Sequence, residues 1–279
     1  MRRWIILGCL CLFGCEQTKE LPPQEPAVVV DESSDIRILA WNIESDGSNT
    51  DKIISQLTSE MPAFDILALS EVPPADVQRL SQFFGERLGV VDRSIGDDRL
   101  ILAWSDRFDK SVPISIGGND FAPGYHRAPL GVVLSDSQTG LEFVVMNNHL
   151  ARGNAELRQQ QAALLVDWAR NQSQAVIAVG DYNMDYDFAR EAGNDSFAEM
   201  LRDGIYKWIK PKEMIDTNWY DPEGDGVDNY PGSMLDFTFV AGPAMDWSVT
   251  SEVIVRPGDF PDDDTTSDHR PIYTTIAAP

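Results

Sequence analysis

From Asp35 onward the chain alternates short, strongly apolar runs with amphipathic stretches. Ile36–Trp41 and Asp65–Ser70 read as strands, and Asp51–Ser59 between them has helical spacing. Ala75–Leu88, following Pro73-Pro74, is expected to be helical. Arg99–Trp104, Val112–Ile116, Leu130–Leu134 and Phe143–Asn147 form a β-rich middle section. Asn154–Arg170 is the clearest helix, with Leu157, Gln161, Leu164, Leu165 and Trp168 along one side. Ala175–Val179 reads as a buried strand, Asp195–Arg202 as a helix, and Asp203–Gly232 as irregular and polar. Leu235–Val240, Val249–Val255 and Ile272–Ile276 complete the set. Runs of strands mixed with crossover helices predict an α/β fold, two β-sheets packed together and covered by helices, with no second domain boundary in Asp35–Pro279.

The first 34 residues break this pattern. Arg2 and Arg3 precede the apolar run Trp4–Phe13, which is shorter than the roughly 20 residues of a membrane-spanning helix and reads as a leader. Leu12-Phe13-Gly14-Cys15 resembles the lipobox of bacterial lipoproteins, where the leader is cut before a cysteine that receives lipid. An ordinary secretory leader with an incidental cysteine is the alternative. Glu16–Ser34, with Pro22, Pro23 and Pro26, reads as an extended spacer. The expected organisation is a leader over 1–14, a lipidated Cys15 and linker over 15–34, and one domain over 35–279. Such a chain would sit in the cell envelope, lipid-anchored on the periplasmic or extracellular face, as a monomer.

Composition narrows the chemistry. The three cysteines are Cys9, Cys11 and Cys15, so the domain has no disulfide and no cysteine-ligated metal. A metal there must be held by oxygen and imidazole, which favours Mg²⁺, Mn²⁺ or Ca²⁺. Formal net charge is −23, and −25 once the two leader arginines are removed. That surface lacks the basic footprint of most nucleic-acid binders, although a solubility role explains the charge as a whole equally well.

Polar residues recur at the C-terminal ends of the apolar strands, where catalytic groups are usually presented. Asn42 follows Ile-Leu-Ala-Trp, and Glu71 follows Ile-Leu-Ala-Leu-Ser. Asn148 and His149 follow Phe-Val-Val-Met-Asn, while Asp181 and Asn183 follow Val-Ile-Ala-Val-Gly. With Leu235-Asp236-Phe237 and Ser267-Asp-His-Arg-Pro271, these segments resemble, in this order, the endonuclease/exonuclease/phosphatase superfamily. Each motif alone is weak; six in register from Arg37 to about Ile276 are specific. The resemblance implies a four-layer α/β sandwich and metal-assisted hydrolysis of a phosphoester.

By that resemblance Glu71 anchors Mg²⁺ (or Mn²⁺), with Asn42 and Asp268 as companions, direct or through water. Asp181 corresponds to the carboxylate that activates water, and Asn183 to a residue that holds a phosphate oxygen. His149 and His269 face the scissile phosphate, and Asp236 orients His269 and favours its charged form. Asp98 is the candidate partner of His149. Arg127 resembles an arginine near the substrate phosphate, and its neighbour His126 has no assigned role. Asp185 or Asp187 remains open as a further ligand.

Two acidic segments are read more plainly. Asp221-Pro-Glu-Gly-Asp225-Gly226 resembles the start of a calcium loop, but Glu223 and Gly232 occupy positions where ligands belong, so a solvated loop is expected. The run Asp259, Asp262, Asp263, Asp264 is either a solvated loop or a feature that repels polyanions near the site.

The expected partner is a phosphoester substrate. Small or lipid-linked phosphates are favoured over DNA or RNA by the charge and by the scarcity of basic residues beyond Arg127, Arg152 and Arg270. A secreted nuclease stays open, as does a non-catalytic binding lipoprotein, although the latter would be expected to have lost one of Glu71, Asp181, His149 or His269.

Overall fold

The computed structural model describes residues 34–277 apart from 46, 86–88, 92–97, 115, 117–127 and 264. Two six-stranded mixed sheets carry the fold. The first has the order β11(Val249–Val253), β12(Ile272–Ile276), β1(Ile36–Asn42), β2(Ile66–Val72), β4(Arg99–Trp104), β3(Val90–Val91). The second runs β5(Phe108–Ile114), β6(Leu130–Asp136), β7(Glu142–His149), β8(Ala175–Asp187), β10(Ser233–Ala241), β9(Tyr206–Trp208).

Each sheet contains one parallel pair, β1 with β2 and β7 with β8, and its other pairings are antiparallel. A parallel pair needs a crossover, here α1(Thr50–Ser59) in the first sheet and α3(Ala155–Arg170) in the second. Both helices begin at an asparagine whose side chain accepts a first-turn amide: Asn49 from Lys52 and Asn154 from Leu157. The two β–α–β units therefore bring the C-terminal ends of four strands to one end of the molecule.

Period-2 alternation sorts the layers. Ile36, Ile38, Ala40, Ile66 and Ala68 face Phe143, Val145, Ile177 and Val179 in the core between the sheets. Leu39, Trp41, Leu67 and Leu69 point the other way, onto Ile53 and Leu57 of α1. Val144, Met146, Val176 and Ala178 pack under α3 and α4(Asp195–Met200). Helix, sheet, sheet, helix is the four-layer sandwich expected.

Several boundaries differ from expectation. Among the described residues of Ala75–Leu88, only α2(Val77–Ser81) is helical; the chain turns at 82–84, where Phe83 and Phe84 pack on Phe64, and Gly85 has φ 101°. The strand expected over Val112–Ile116 is β5, which starts at Phe108. The Asp203–Gly232 region contributes β9, which pairs with β10. After α4 the chain passes into a 3₁₀ turn in which Asp203 takes φ 60°. The largest difference is β8, which does not stop at Val179 but continues to Asp187, carrying Asp181 and Asn183 within a strand. Long pairing with β10, broken by a bulge near Met234 and Asp236, sustains that extension.

Candidate active site

The two parallel pairs place Asn42 and Glu71 on one sheet opposite His149 and Asp181 on the other. Asn42 ends β1 and His149 ends β7, and β-register pairs His149 with Asp181 and Asp181 with Asp236. Gly180 makes this spacing possible. It has φ 124°, and a Cβ there would lie 2.2 Å from the Asn148 carbonyl oxygen.

Glu71 stands in a distortion of β2, with φ 52° and a register shift against β4 between Leu69 and Val72. Across the intersheet gap, buried Asn147 donates its amide to the carbonyls of Leu69 at 2.8 Å and Ile101 at 3.1 Å. This tie fixes the bulge that aims Glu71 into the site. Asn42 Nδ2 then donates to Glu71 Oε1 and to Asp181 Oδ2, both at 3.1 Å, binding the two sheets through their carboxylates. His149 Nε2 lies 3.5 Å from each of the same two oxygens.

His269 arrives on the loop before β12. Its Nδ1 is 2.8 Å from Asp236 Oδ2, and its Nε2 is 4.0 Å from Asp181 Oδ2 and 3.9 Å from Asp268 Oδ1. The loop is tied to β1: Ser267 Oγ donates to the Asn42 carbonyl and accepts the His269 amide, while the Trp41 indole donates to the His269 carbonyl at 2.8 Å. Buried Arg256 lies over the Trp41 ring, 4.7 Å from its centroid.

Burial controls the electrostatics. Burial is the main cause that lifts the Asp181 carboxyl to about 6; Asp236 adds to it, while His269 and the hydrogen bonds from Asn183 and Asn42 oppose it. Asp236 and Glu71 are raised for the same first reason. Burial works against the charged form of His269, but Asp236, Asp268 and Asp181 outweigh it and hold the ring's pKa well above its ordinary value. The site is thus a buried cluster of carboxylates crowded around one cationic imidazole. Such crowding fits an added cation, and the ligating atoms of Glu71, His149 and Asp181 lie within 4.8 Å of one another.

The model of the endonuclease/exonuclease/phosphatase family matches residues 39–269, spanning every motif just described. The chain belongs to that family. A search of curated proteins by sequence found no match. Among solved structures the chain is similar to D. rerio TDP2 complexed with a single-strand DNA product, at 19% identity and a TM-score of 0.64, covering 88% of this chain and 99% of that one. It is also similar to a Bacteroides thetaiotaomicron mannosyl-6-phosphatase, at 15% identity and a TM-score of 0.62, covering 87% and 99%. A Bacteroides vulgatus endonuclease/exonuclease/phosphatase gives 18% identity and a TM-score of 0.66, covering 88% and 100%. These structural likenesses establish the shared fold.

Within this family site, the positions expected from sequence divide into three groups. Asn42, Glu71, His149, Asp181, Asn183, Asp236 and His269 come together. The Asn183 side-chain amide, however, donates to the Leu150 carbonyl and to Asp181, and its backbone amide also binds Asp181, so in this arrangement it positions that carboxylate. Asp268 lies at the margin, its amide bonded to Glu44 Oε2 and its carboxylate beside His269. Asp98 accepts a 2.5 Å bond from Ser45 and lies near enough to Glu71 to raise its pKa. Arg127 and His126 lie outside the described residues.

The structure also places Arg270 and the two acidic segments. Arg270 is not free for substrate: it makes a bidentate pair with Asp259 and lies over Phe260. Asp259 is therefore a buried structural anion rather than part of a solvated acidic run, and Asp263 pairs with Lys52. Asp221 accepts the amides of Asp225 and Gly226, closing the acidic loop on its own backbone.

Two participants escape sequence reading. Asn147 ends an apolar run directly before the Asn148-His149 motif, and nothing in that spacing shows that its side chain reaches the other sheet. Glu44, only two residues after Asn42, is lifted to about 7, by burial first and then by Asp268 and Glu71. Its place just after the Asn42 motif was the available signal, but its φ of 52°, which turns it toward Asp268, is a tertiary result.

Proposed function

We propose that the chain is an exported, Mg²⁺-dependent phosphoester hydrolase, anchored by lipid at Cys15 and acting on small or lipid-linked phosphates. The convergence of Asp181, His149 and His269 around one gap beside Glu71 supports the reaction type most directly. Asp181 accepts the proton of the attacking water, and Asn42 and Asn183 hold its carboxylate in line. His149 and His269 donate hydrogen bonds to phosphate oxygens as charge builds on them. Asp236 keeps the His269 ring oriented and protonated, with Nε2 as the donor facing the gap.

Mg²⁺ prefers oxygen donors, so Glu71 would be its anchor, with Asn42 and Asp268 as companions, direct or through water. Bound there, the ion would neutralise phosphate charge; Mn²⁺ would serve in the same place. His149, also within reach of that cluster, is the poorer ligand for a hard cation and is left for the phosphate. A formal charge of −25 beyond the leader favours small or lipid-linked esters over polyanions. A nuclease is the second reading, motivated by the structural similarity to TDP2 with its DNA product.

A substrate panel tests this: plasmid DNA, RNA, a bis-aryl phosphodiester, inositol phosphates and sphingomyelin, with Mg²⁺ and with chelator. Activity is expected to vanish in EDTA and return with Mg²⁺ or Mn²⁺, and Glu71→Gln should raise the Mg²⁺ concentration required. Full activity in chelator sinks the mechanism. The anchor is tested separately, because Cys15→Ser should leave the protein soluble or unprocessed; among the described residues no helix is long and apolar enough to cross a membrane. Membrane partitioning of that variant after a salt wash would overturn the lipid assignment.

A further inference from the structure

Beside the catalytic cluster, and sharing Asn183 with it, lies an open cavity of about 610 Å³ walled by Asn218, Tyr220, Tyr230 and Arg152. That volume suits a small molecule rather than a strand of polymer. We propose that it is the subsite for a sugar ring carrying the phosphate to be hydrolysed, an inference that rests on the hydrolase reading above and names its substrate class.

An aromatic platform forms one wall. Tyr220 and Tyr230 lie with centroids 5.7 Å apart at an interplanar angle of 32°, and they are 37% and 62% exposed. Their placement is built: the Asp228 carboxylate accepts the backbone amides of both, and Asn229 N–H donates to the Tyr220 carbonyl. Tyr230, the more exposed of the two and held by its packing on Tyr220, suits the apolar C–H face of a sugar.

The polar wall specifies what else the occupant brings. Asn218 is 5% exposed, yet among the described residues its Oδ1 has no hydrogen-bond partner. A buried acceptor without a donor is costly, so a ligand that supplies one is favoured. Asp185 adds a second acceptor, fixed by a 2.8 Å bond from Asn194. Hydroxyl groups supply donors to such acceptors; phosphate oxygens do not.

Charge completes the argument. Arg158 lies 3.6 Å from Asp185 and Arg190 lies 3.5 Å from Asp187, so those cations are matched. Among the described residues, Arg152 makes no ion pair; its guanidinium lies over the Tyr220 ring at 5.3 Å, three residues after His149. One uncompensated cation suits a single phosphate at the mouth and not the repeated charges of a nucleic acid. The strand bridge between Asn218 and His269 couples this wall to the catalytic histidine.

The test compares glucose 6-phosphate, glycerol 3-phosphate and adenosine 5′-monophosphate as substrates of the full protein with Mg²⁺. Glucose 6-phosphate should show the highest kcat/KM. Tyr220→Ala, Tyr230→Ala and Asn218→Leu should each cut its advantage over glycerol 3-phosphate by about fivefold to tenfold, through KM. Val227→Ala, an exposed change on the same loop, should leave that ratio as in the wild type. An unaltered ratio in all three variants overturns the proposal, as does a Tyr220-dependent preference for the nucleotide. Calorimetric binding of glucose 6-phosphate to the Asp181→Asn protein separates the two claims. If no ester is turned over, the hydrolase reading fails; Tyr220-dependent binding would still support the subsite, and no binding would overturn it.

Discussion

The two ends of the sandwich bury charge in opposite ways. At the end where β1 begins, Arg107 grips Asp136 with two bonds of 2.8 and 2.9 Å, lies 3.5 Å from Asp65, and donates to the carbonyls of Ser34 and Asp35. Burial alone would raise the Asp136 pKa, but Arg107, Thr139 and the Gln138 amide outweigh it and hold it below its ordinary value. At the end where β1 finishes, Asp181, Asp236, Glu71 and Glu44 share one cationic histidine, and all four are raised. The same strands thus carry a compensated ion pair at one end and an under-compensated cluster at the other. Compensation stabilises a fold; its lack raises a carboxylate's affinity for protons, which suits the base role proposed for Asp181.

The largest effect expected from breaking this contrast is on catalysis. Asp181→Asn, His149→Ala and His269→Ala should each lower kcat by at least about a hundredfold with little change in KM. Adding Asp236→Asn to His269→Ala should cost little more, because the pair acts as one unit. Retention of full kcat in any of the three single variants means the site must be redrawn. Denaturation of Asp181→Asn should show no loss of stability, since a crowded charge has been removed.

Arg107→Met should behave in reverse. It strands Asp136 in the interior, and removing one partner of a buried pair costs about 3–5 kcal/mol. Urea denaturation should register that loss, while kcat of the folded fraction stays near the wild-type value. A large fall in kcat without loss of stability would mean that the two ends are not independent.

The smaller effect is on the pH dependence of stability without metal. Glu44 and Asp181 hold protons in the folded chain up to about 7 and 6, whereas ordinary values are 4.5 and 3.8. The folded state therefore binds more protons across this window, and stability falls as pH rises through it. His269, raised in the folded state, stabilises below 6.5 and loses that contribution as pH rises through its folded value. Asp136 has the opposite sign, contributing above 3.8 and losing that contribution as pH falls through its lowered value. Melting temperatures from pH 4 to 8 should decline in chelator, and Glu44→Gln should flatten the slope. A rise across the same range would contradict the assigned directions.

Much of this was legible in the chain. Ile-Leu-Ala-Trp-Asn42 and Ile-Leu-Ala-Leu-Ser-Glu71 announce strand and strand end together, because a strand buried on both faces must be apolar until a functional residue interrupts it. The Ala75–Leu88 expectation failed because Phe83 and Phe84 have helical company in sequence but pack on Phe64 in space. The extension of β8 carries a period-2 signal, with Tyr182, Met184 and Tyr186 buried, but its alternate Asp and Asn residues read as a turn, and pairing with β10 decides for the strand.

By itself, the sequence determined the periodicities, hence the elements and layers, and the order of the motifs, hence the family. Such features depend on neighbours along the chain and on burial averaged over each strand. Tertiary structure alone decided that Asn147 pins the Glu71 bulge, that Glu44 joins the cluster, that Arg270 belongs to Asp259, and that Tyr220 and Tyr230 meet beside Asn218. Each of these depends on a distance between residues remote in sequence or on a left-handed backbone turn, and charge placement obeys those distances rather than the spacing of letters.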